Sequence, residues 1–480
     1  MNVYQLFEAA AENFGEKPAV VEKDLSVSYA ELSAMVTGIA RDLEAAGLTS
    51  GDIVGLRFPN SIAYIAITYA LWKLDAAVVP LDPELAAPEI DQVSERMHLT
   101  AVIDVSGGPG WRAGECPGIG RAYYLMRQKP GPGFETDIHM AFIRFTSGTT
   151  GDRKGVVLSH DRIAHRIEAV NKGLAITADD TILWVLSMTH HFVSTIVLYL
   201  SKGATIVIAA GFFSSQLLET IREQNVSVIY AAPFHYALLA ADRSDYMMPG
   251  VRMAISTAIE LPEQIYRDFH ERFDLPLTQA YGIIEVGLVC INTEPAEKPG
   301  SVGRPLPDYR LEIKNPQKYK DDTQRVSGEL FFKGPGFFDA YFDPWQSADA
   351  VLDNGWFETG DIGWTDAEGF VFLRGRKTNV INMAGMKVFP QEIEAVLNAH
   401  PQVRESMVYS QPHERFGNVV AARVVLHHAD AETRAPVSAS GLKAFLRARV
   451  AGYKVPEEIV FTDHIEKTPL TSKIVRPKQG

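Results

Sequence analysis

The chain has 480 residues, and its 46 Lys and Arg residues against 59 Asp and Glu residues give a net charge of −13. Because a typical domain has roughly 100–150 residues, two or three packed domains are expected. The acidic balance argues against a nucleic-acid binder, which needs a basic face. A content of 46% hydrophobic and 22% charged residues excludes the disordered class. The two cysteines, Cys116 and Cys290, are too few for a disulfide framework.

The N-terminal residues show no basic region followed by an apolar run, so no signal peptide is expected. The most apolar stretch, residues 194–210, is interrupted at Lys202 and Gly203. It is shorter than the roughly 20 apolar residues of a membrane-spanning helix, and it predicts a helix followed by a buried strand. These features predict a cytoplasmic protein without a membrane span.

Helical and strand patterns alternate along the first part of the chain. Apolar residues at helical spacing predict helices over 4–14, 30–46 and 62–74. Short apolar runs predict strands at 18–21, 53–56, 77–81, 140–145, 181–186, 205–209 and 226–230. Such alternation favours a parallel or mixed sheet covered by helices. The Gly- and Pro-containing segment 107–132 predicts a surface excursion.

The pattern changes near residue 375, where the predicted elements become shorter. They are a strand near Val380, a helix at 390–400, strands at 406–409 and 419–426, a helix at 440–450 and a strand at 458–461. We therefore predict a large α/β domain over 1–375 and a small α+β domain over 376–480, with a hinge at about 375–379.

A segment rich in glycine and hydroxyl groups, 145–155, follows the predicted strand at 140–145. Glycines let backbone N–H groups approach an anion, hydroxyls donate to phosphate oxygens, and Lys154 supplies positive charge. The segment lacks the Gly-Lys-Ser/Thr sequence of a Walker loop. A flexible turn is the alternative interpretation. The phosphate-binding candidates are Thr146, Ser147, Gly148, Thr149, Thr150 and Lys154.

This segment resembles the phosphate-binding loop of the adenylate-forming superfamily, which includes acyl- and aryl-CoA ligases, luciferases and adenylation domains of peptide synthetases. Further motifs of that family occur in the same order over nearly the whole chain. They are similar to the segments at 28–32, 79–83, 279–285, 328–336, 359–361, 375–394 and 469–474. The resemblance implies a large AMP-binding domain, a small mobile domain, and ATP and Mg²⁺ as co-substrate and cofactor.

The resemblance also implies individual roles. Glu285 is expected to hold Mg²⁺, with Thr150 as a second candidate ligand, and Asp361 is expected to accept hydrogen bonds from both ribose hydroxyls. Tyr281 would stack on adenine, and Arg376 would reach the ribose or a phosphate. Ala258 and Gly282 complete the expected nucleotide site.

In the family, a lysine near the C-terminus contacts the reacting carboxylate and phosphate, and Lys473 occupies that position. The small domain would bring Lys473 to the site and then rotate about Thr378 to admit a thiol. Lysine is a compact cation suited to this task. Without the family context, a lysine this close to a terminus is better interpreted as a solvated residue.

Several positions depart from the family pattern. Ile284 stands where a threonine usually contacts the AMP phosphate, and Ser472 stands where a glycine usually precedes the lysine. The segment 256–258 reads Ser-Thr-Ala in place of a glycine-rich sequence, and Thr378 and Asn379 replace the usual hinge residues. These changes predict a specialised enzyme with modest nucleotide affinity or rate.

The acid-binding segment is expected at 187–194. Relatives that activate amino acids place an aspartate where Val193 stands, and without it a buried substrate ammonium would be unpaired and costly. An aromatic or short-to-medium apolar acid is therefore favoured. The candidate pocket residues are His190, His191, Val193, Phe234, Ile259, Ile283 and Ile284. The two histidines alternatively serve only packing and hydrogen bonding.

The thiol acceptor stays open between coenzyme A, which is favoured, and the phosphopantetheine of a separate acyl carrier protein. Two further hypotheses also stay open. A non-catalytic nucleotide-binding relative would explain Ile284 and the altered glycines, whereas Lys473, Asp361 and Glu285 argue against it. A luciferase would share every motif.

Overall fold

A computed structural model of the chain describes residues 1–106, 112–116, 120–126, 136–145, 154–209, 211, 213–319, 326–383, 386–413, 417–427, 437–467 and 474–477. Within these ranges the helices are α1 Tyr4–Phe14, α2 Tyr29–Ala45, α3 Ile62–Lys73, α4 Ala87–Arg96, α5 His160–Leu174, α6 Met188–His191, α7 Ile196–Ser201, α8 Ser214–Glu223, α9 Pro233–Ala240, α10 Glu263–Phe273, α11 Ala348–Val351, α12 Pro390–Asn398 and α13 Ala439–Arg447.

The strands of the same ranges are β1 Pro18–Glu22, β2 Leu25–Ser28, β3 Ile53–Arg57, β4 Ala77–Pro80, β5 Ala101–Asp104, β6 Arg112–Cys116, β7 Gly120–Met126, β8 Met140–Phe145, β9 Gly155–Ser159, β10 Thr181–Trp184, β11 Thr205–Ile208, β12 Val228–Ala231, β13 Met253–Ser256, β14 Leu277–Ile283, β15 Gly287–Ile291, β16 Arg304–Pro305, β17 Arg310–Lys314, β18 Gly328–Lys333, β19 Ala340–Tyr341, β20 Gln346–Ser347, β21 Phe357–Thr365, β22 Val371–Arg376, β23 Ile381–Met383, β24 Met386–Val388, β25 Val403–His413, β26 Gly417–Leu426 and β27 Glu458–Phe461.

Two large mixed sheets dominate the described part of the first 350 residues. The first has the order β16-β15-β14-β13-β12-β10-β11-β1-β2, and its six strands from β14 to β1 run parallel. The second has the order β20-β19-β9-β8-β4-β3-β5-β7-β6. Non-consecutive neighbours within each sheet require helical crossovers. The expected α/β fold with mixed sheets is confirmed.

Helix α3 contacts strands of both large sheets. Every residue from Ile62 to Trp72 is buried, as expected of a helix that is apolar all round. Ser61 begins the helix by accepting a hydrogen bond from the Tyr64 amide, and Trp72 Nε1 donates to the Ala141 carbonyl at 2.8 Å. This helix therefore ties the second sheet to the main apolar core.

A four-stranded antiparallel sheet, β17-β18-β21-β22, leads towards the C-terminal part of the chain. Beyond it, β25, β26 and β27 form a separate sheet whose apolar cluster also includes α12 and α13. Each helix and strand predicted after residue 375 is present to within a few residues. The domain boundary at 375/376 stays a prediction.

The predicted surface excursion at 107–132 was wrong for part of its length. The described residues in it form strands β6 and β7, and β7 pairs with β5 at the edge of the second sheet. Alternation was obscured there because Gly114, Pro117 and Gly118 interrupt the pattern.

Candidate active site

Three side chains predicted to bind nucleotide meet where the first large sheet contacts the four-stranded sheet. Tyr281, on β14, donates its hydroxyl hydrogen bond to Asp361 Oδ2 at 2.5 Å. Arg376 Nε lies 2.8 Å from Asp361 Oδ1, and these two residues are directly opposite each other on β21 and β22. The strand register thus places one carboxylate between a phenol and a guanidinium.

Backbone contacts fix the orientation of this carboxylate. The Asp361 amide donates to Thr359 Oγ1 at 3.1 Å, and that hydroxyl donates to the Leu330 carbonyl at 2.9 Å. Arg376 Nη1 donates to the Thr359 carbonyl at 2.9 Å. Gly360, between Thr359 and Asp361, has a φ of +74°, a conformation that favours glycine. Asp361 is therefore a rigidly held acceptor.

The same contacts give Tyr281 a second role beside the predicted stacking on adenine. Burial raises the pKa of Tyr281, and the Asp361 charge adds to the effect, so the phenol stays a donor. Its ring centroid lies 6.0 Å from that of Phe332. Tyr281 thus anchors Asp361, a function that the sequence motif did not predict.

Glu285 lies in the turn between β14 and β15. Tyr341 donates a hydrogen bond to Glu285 Oε1 at 3.2 Å, and Lys154 Nζ sits 4.5 Å from the centroid of the Tyr341 ring. Burial raises the pKa of Glu285, while Arg376 and Arg144 oppose that shift. A hard divalent cation prefers oxygen ligands and would stabilise the buried carboxylate, so this residue fits the expected Mg²⁺ ligand.

The backbone beside Glu285 is held by Arg166, a fully buried arginine of α5 that the sequence analysis missed. Its guanidinium donates to the carbonyls of Ile284 at 3.0 Å, Glu285 at 3.3 Å and Gly336 at 3.0 Å. A Cβ on Gly336, whose φ is +69°, would lie 2.7 Å from the Arg166 backbone nitrogen. In the sequence, the only indication of this role was that a basic residue occurs among the apolar residues on the buried face of α5.

Two predicted elements of the site lie outside the described residues. These are residues 146–150 of the phosphate loop, with Thr146, Ser147, Gly148, Thr149 and Thr150, and the lysine Lys473. Phe145 pairs with Gly155 across β8 and β9, and Ile474 forms a bridge with Lys467.

The predicted acid-binding segment follows the carboxyl end of β10 and contains α6. The His191 ring centroid lies 6.3 Å from that of Trp184 and 5.8 Å from that of Tyr230, with both contacts edge-on. Trp184 and Tyr230 are stacked at 5.3 Å. His190 receives, on its carbonyl, a 2.5 Å hydrogen bond from Arg144 Nη1. His191 therefore packs edge-on against the stacked rings of Trp184 and Tyr230.

The remaining predicted pocket residues differ in exposure. Val193 is buried in the main core, Ile283 and Ile284 are half-buried, and the Phe234 side chain is 59% exposed. Phe234 and Ile259 follow the paired strand ends Ala231 and Ser256 by three residues each. Both residues therefore follow the carboxyl edge of the sheet, and both are exposed, Phe234 at 59% and Ile259 at 37%.

Ala258, at the end of the segment that lacks the usual glycines, adopts a φ of +75°. This left-handed conformation is unfavourable for a residue with a Cβ and usually selects glycine. The neighbouring Glu260 interacts electrostatically with Glu394 and Arg476. Glu260, which follows β13, therefore lies within electrostatic range of residues on the C-terminal side of the predicted hinge.

Ion pairs surround the predicted hinge. Lys377 Nζ lies 2.6 Å from Glu358 and 3.2 Å from Glu329, whereas Thr378 is exposed. Across the predicted hinge, Arg374 lies 3.5 Å from Glu392, and the buried Lys454 donates to the same carboxylate at 2.8 Å. The segment is thus tethered by charges on both sides of residue 378.

Among the described helices, none has the length and apolar character required to cross a membrane.

The chain matches two family profiles. Residues 7–342 match the AMP-binding enzyme family, and residues 392–470 match the C-terminal domain of AMP-binding enzymes. The chain is 30% identical over 487 residues to an indoleacetate–CoA ligase of Aromatoleum aromaticum, covering 95% of this chain and 93% of that protein. A feruloyl-CoA synthase of Amycolatopsis is 28% identical, with 94% and 93% covered.

Solved structures give the same result at the level of the fold. The o-succinylbenzoate CoA synthetase of Bacillus subtilis, in complex with an acyl-adenylate intermediate, superposes with a TM-score of 0.83. It is 26% identical, and 98% of this chain and 96% of that one are covered. The ATP-bound MatB of Rhodopseudomonas palustris has a TM-score of 0.84 at 24% identity, covering 99% and 97%.

Proposed function

Because the chain belongs to the AMP-binding, adenylate-forming enzyme family and is an AMP-forming acid–thiol ligase, we propose that it joins an apolar carboxylic acid to coenzyme A. In the first half-reaction the acid and ATP give acyl-AMP and pyrophosphate. In the second, the thiol displaces AMP. The observation that carries the proposal is the carboxylate of Asp361, fixed between Tyr281 and Arg376 at 2.5 and 2.8 Å.

The nucleotide is proposed to bind along the line from Asp361 to the phosphate loop. Asp361 accepts hydrogen bonds from the ribose hydroxyls, and the loop at 146–154 donates to the phosphates. Arg376 and Lys154 supply positive charge, and Ala258 and Gly282 border the base. Glu285 would hold Mg²⁺, which neutralises phosphate charge when it is bound.

The proposed acid is aromatic or a short-to-medium acyl chain. Val193 offers no carboxylate to a substrate ammonium, and His191 packs on the Trp184–Tyr230 stack. Phe234 and Ile259 have apolar side chains and are exposed to solvent. Relatives that act on indoleacetate and ferulate support an aryl acid.

The small domain, proposed to begin at residue 376, supplies Lys473 for the first half-reaction. Lys473 would meet the carboxylate and phosphate as their negative charges converge, and it would leave when the domain turns about Thr378. Arg476, three residues further on, pairs with Glu394 at 2.7 Å and interacts with Glu260. The interaction of Arg476 with Glu260 supports an approach of the C-terminal residues to the proposed large domain.

The test is ATP–pyrophosphate exchange with a panel of acids, followed by detection of thioesters formed with coenzyme A. The panel contains indoleacetate, ferulate, octanoate and the proteinogenic amino acids. Exchange with an aryl or apolar acid is expected, whereas robust exchange with an amino acid would contradict the acid class. Thioester formation only on a carrier protein would replace coenzyme A as acceptor, and no exchange with any acid would favour a nucleotide-binding relative without catalysis.

A further inference from the structure

Arg144 is a charged residue within a strand that is otherwise built for burial. It lies on β8, where its neighbours Ala141, Phe142 and Ile143 are at most 1% exposed. The strand leads directly into the phosphate loop, which begins two residues later. Arg144 itself is only partly buried as a residue, although its Nε atom is buried.

The guanidinium of Arg144 has unused donor capacity. Arginine carries five N–H donors. Within the part of the chain that the structure describes, Arg144 makes one hydrogen bond, from Nη1 to the His190 carbonyl at 2.5 Å, and its buried Nε finds no acceptor. No described carboxylate lies within ion-pair distance, although Glu285 interacts with Arg144 at longer range.

Arg166 provides the contrast in the same region. Its guanidinium donates hydrogen bonds to the carbonyls of Ile284, Glu285 and Gly336, so its role is to hold the backbone. A buried cation without such partners is costly unless an anion approaches it. Arg144 therefore has the properties of a binding group that lacks a carboxylate partner among the described residues.

We propose that Arg144 binds the carboxylate of the acid substrate before it reacts, an inference that rests on the function proposed above. Its guanidinium contacts the acid-binding segment through the His190 carbonyl, and it interacts electrostatically with Glu285, the expected Mg²⁺ ligand. A planar guanidinium fork matches the two oxygens of a carboxylate. Arg144 would thus orient the nucleophilic oxygen, a task for which the sequence analysis named no residue other than Lys473.

The chemistry predicts which kinetic constant depends on Arg144. One carboxylate oxygen forms a bond to the α-phosphorus, the bond from that phosphorus to the bridging oxygen breaks, and pyrophosphate leaves with the electron pair. The carboxylate loses negative charge along this path. Arg144 therefore stabilises the bound acid at least as well as the transition state, and its removal should raise the KM for the acid more than it lowers kcat.

The test compares Arg144→Met with the wild-type enzyme, using the best acid of the exchange panel and its primary amide. For indoleacetate the neutral probe is indole-3-acetamide, measured as a competitive inhibitor. A hydrogen-bonded charge predicts a roughly 10- to 100-fold rise in the KM for the acid. The inhibition constant of the amide, the KM for ATP and the melting temperature should stay close to wild-type values.

Arg144→Lys keeps the positive charge and loses the two-pronged guanidinium geometry, so a smaller rise in the KM for the acid is expected. If Arg144→Met does not fold, Arg144→Lys is used in its place for the same comparison. Equal weakening of acid and amide would show that Arg144 only supports the His190 backbone, and would overturn the inference. A fall in kcat with an unchanged KM would overturn it as well. If both variants behave as wild type while exchange proceeds, this inference fails and the proposed function stands. No exchange by the wild-type enzyme with any acid overturns both.

Discussion

Asp361→Asn is the sharpest test of the nucleotide site, because it keeps the shape of the side chain and removes its charge. Hydrogen bonds to a charged acceptor are worth about 1.5–3 kcal/mol, against about 0.5–1.5 kcal/mol for neutral ones. Each of the two hydrogen bonds that the ribose hydroxyls donate to residue 361 would therefore be weaker by about 1 kcal/mol. The total of about 2 kcal/mol corresponds to a roughly 30-fold weaker affinity for AMP.

Calorimetric titration with AMP, 2′-deoxy-AMP and 3′-deoxy-AMP measures this directly. In the wild-type protein each deoxynucleotide should bind more weakly than AMP, whereas in Asp361→Asn the penalty for removing a hydroxyl should shrink. Asp366→Asn is the matched control. Asp366 also lies in the β21–β22 hairpin region, but it accepts hydrogen bonds from Lys298 at 3.0 Å and from the Phe370 amide at 2.9 Å. Its substitution should leave AMP affinity unchanged.

Thermal melting separates binding from folding in the same variants. Asp361→Asn also removes the charge that Tyr281 and Arg376 contact, so some loss of stability is expected. If AMP affinity stays at the wild-type value while stability falls, Asp361 is a structural anchor for those two residues and the reasoning is refuted. A deoxynucleotide penalty that is the same in both proteins would refute it too.

Four further predictions concern other residues. Ile284→Thr should restore a hydroxyl near the phosphate and raise the adenylation rate by at most roughly 2- to 13-fold; a large loss with every acid in exchange assays would contradict this. Thr378→Pro should hinder the hinge, since proline fixes φ, so exchange should survive while thioester formation falls; Thr378→Ala is the control, and equal loss of both half-reactions would exclude residue 378 as the pivot. Lys473→Ala should lower kcat for acyl-AMP formation by about 10²–10³ and leave transfer from synthetic acyl-AMP intact, whereas parallel loss in both assays would argue against domain alternation. Burial, with nearby His139, lowers the pKa of His160 from 6.5 to about 3; the unfolded chain therefore takes up the proton first, and stability falls as the pH drops below about 6.5. Because one pKa unit is about 1.4 kcal/mol, His160→Asn, whose oxygen can accept the bond that Val3 donates to Nδ1, should remove about 2 kcal/mol of the stability lost between pH 7 and pH 5; an unchanged pH dependence in urea titrations would contradict this.

The fold was largely predictable because periodicity and motif order are properties of the sequence. Helix α1 and strands β8 and β27 have the predicted bounds, or nearly so, since apolar spacing determines which face is buried. The helix predicted at 62–74 is present for the same reason. The strands at 112–126 were missed because glycine and proline signals there favour a turn, and pairing with β5 prevailed over that local preference.

The sequence named candidate residues of the site, but it did not predict which of them contact each other. The motifs named Asp361, Tyr281 and Arg376, whereas only the strand register shows that they touch each other. Arg166 and Arg144 belong to no motif, and their functions depend on carbonyls and strands distant in the sequence. A charged residue inside an apolar helix stripe or strand was the available signal, and it gives no information on the partner.

The distribution of contacts fits the proposal of a rigid nucleotide site and a small domain that turns about the predicted hinge. Asp361, Tyr281 and Thr359 are buried, and the Thr359 hydroxyl is hydrogen-bonded to the backbone of Leu330 and Asp361, so separating these groups costs free energy. The small domain has its own apolar cluster within residues 381–459. Its link to the preceding sheet is a small cluster of Tyr319, Ile362, Val380 and Phe389, with partly exposed ion pairs beside it. Rotation about the predicted hinge would exchange these few contacts and leave both apolar clusters intact, which is the physical condition that the proposed two-step reaction requires.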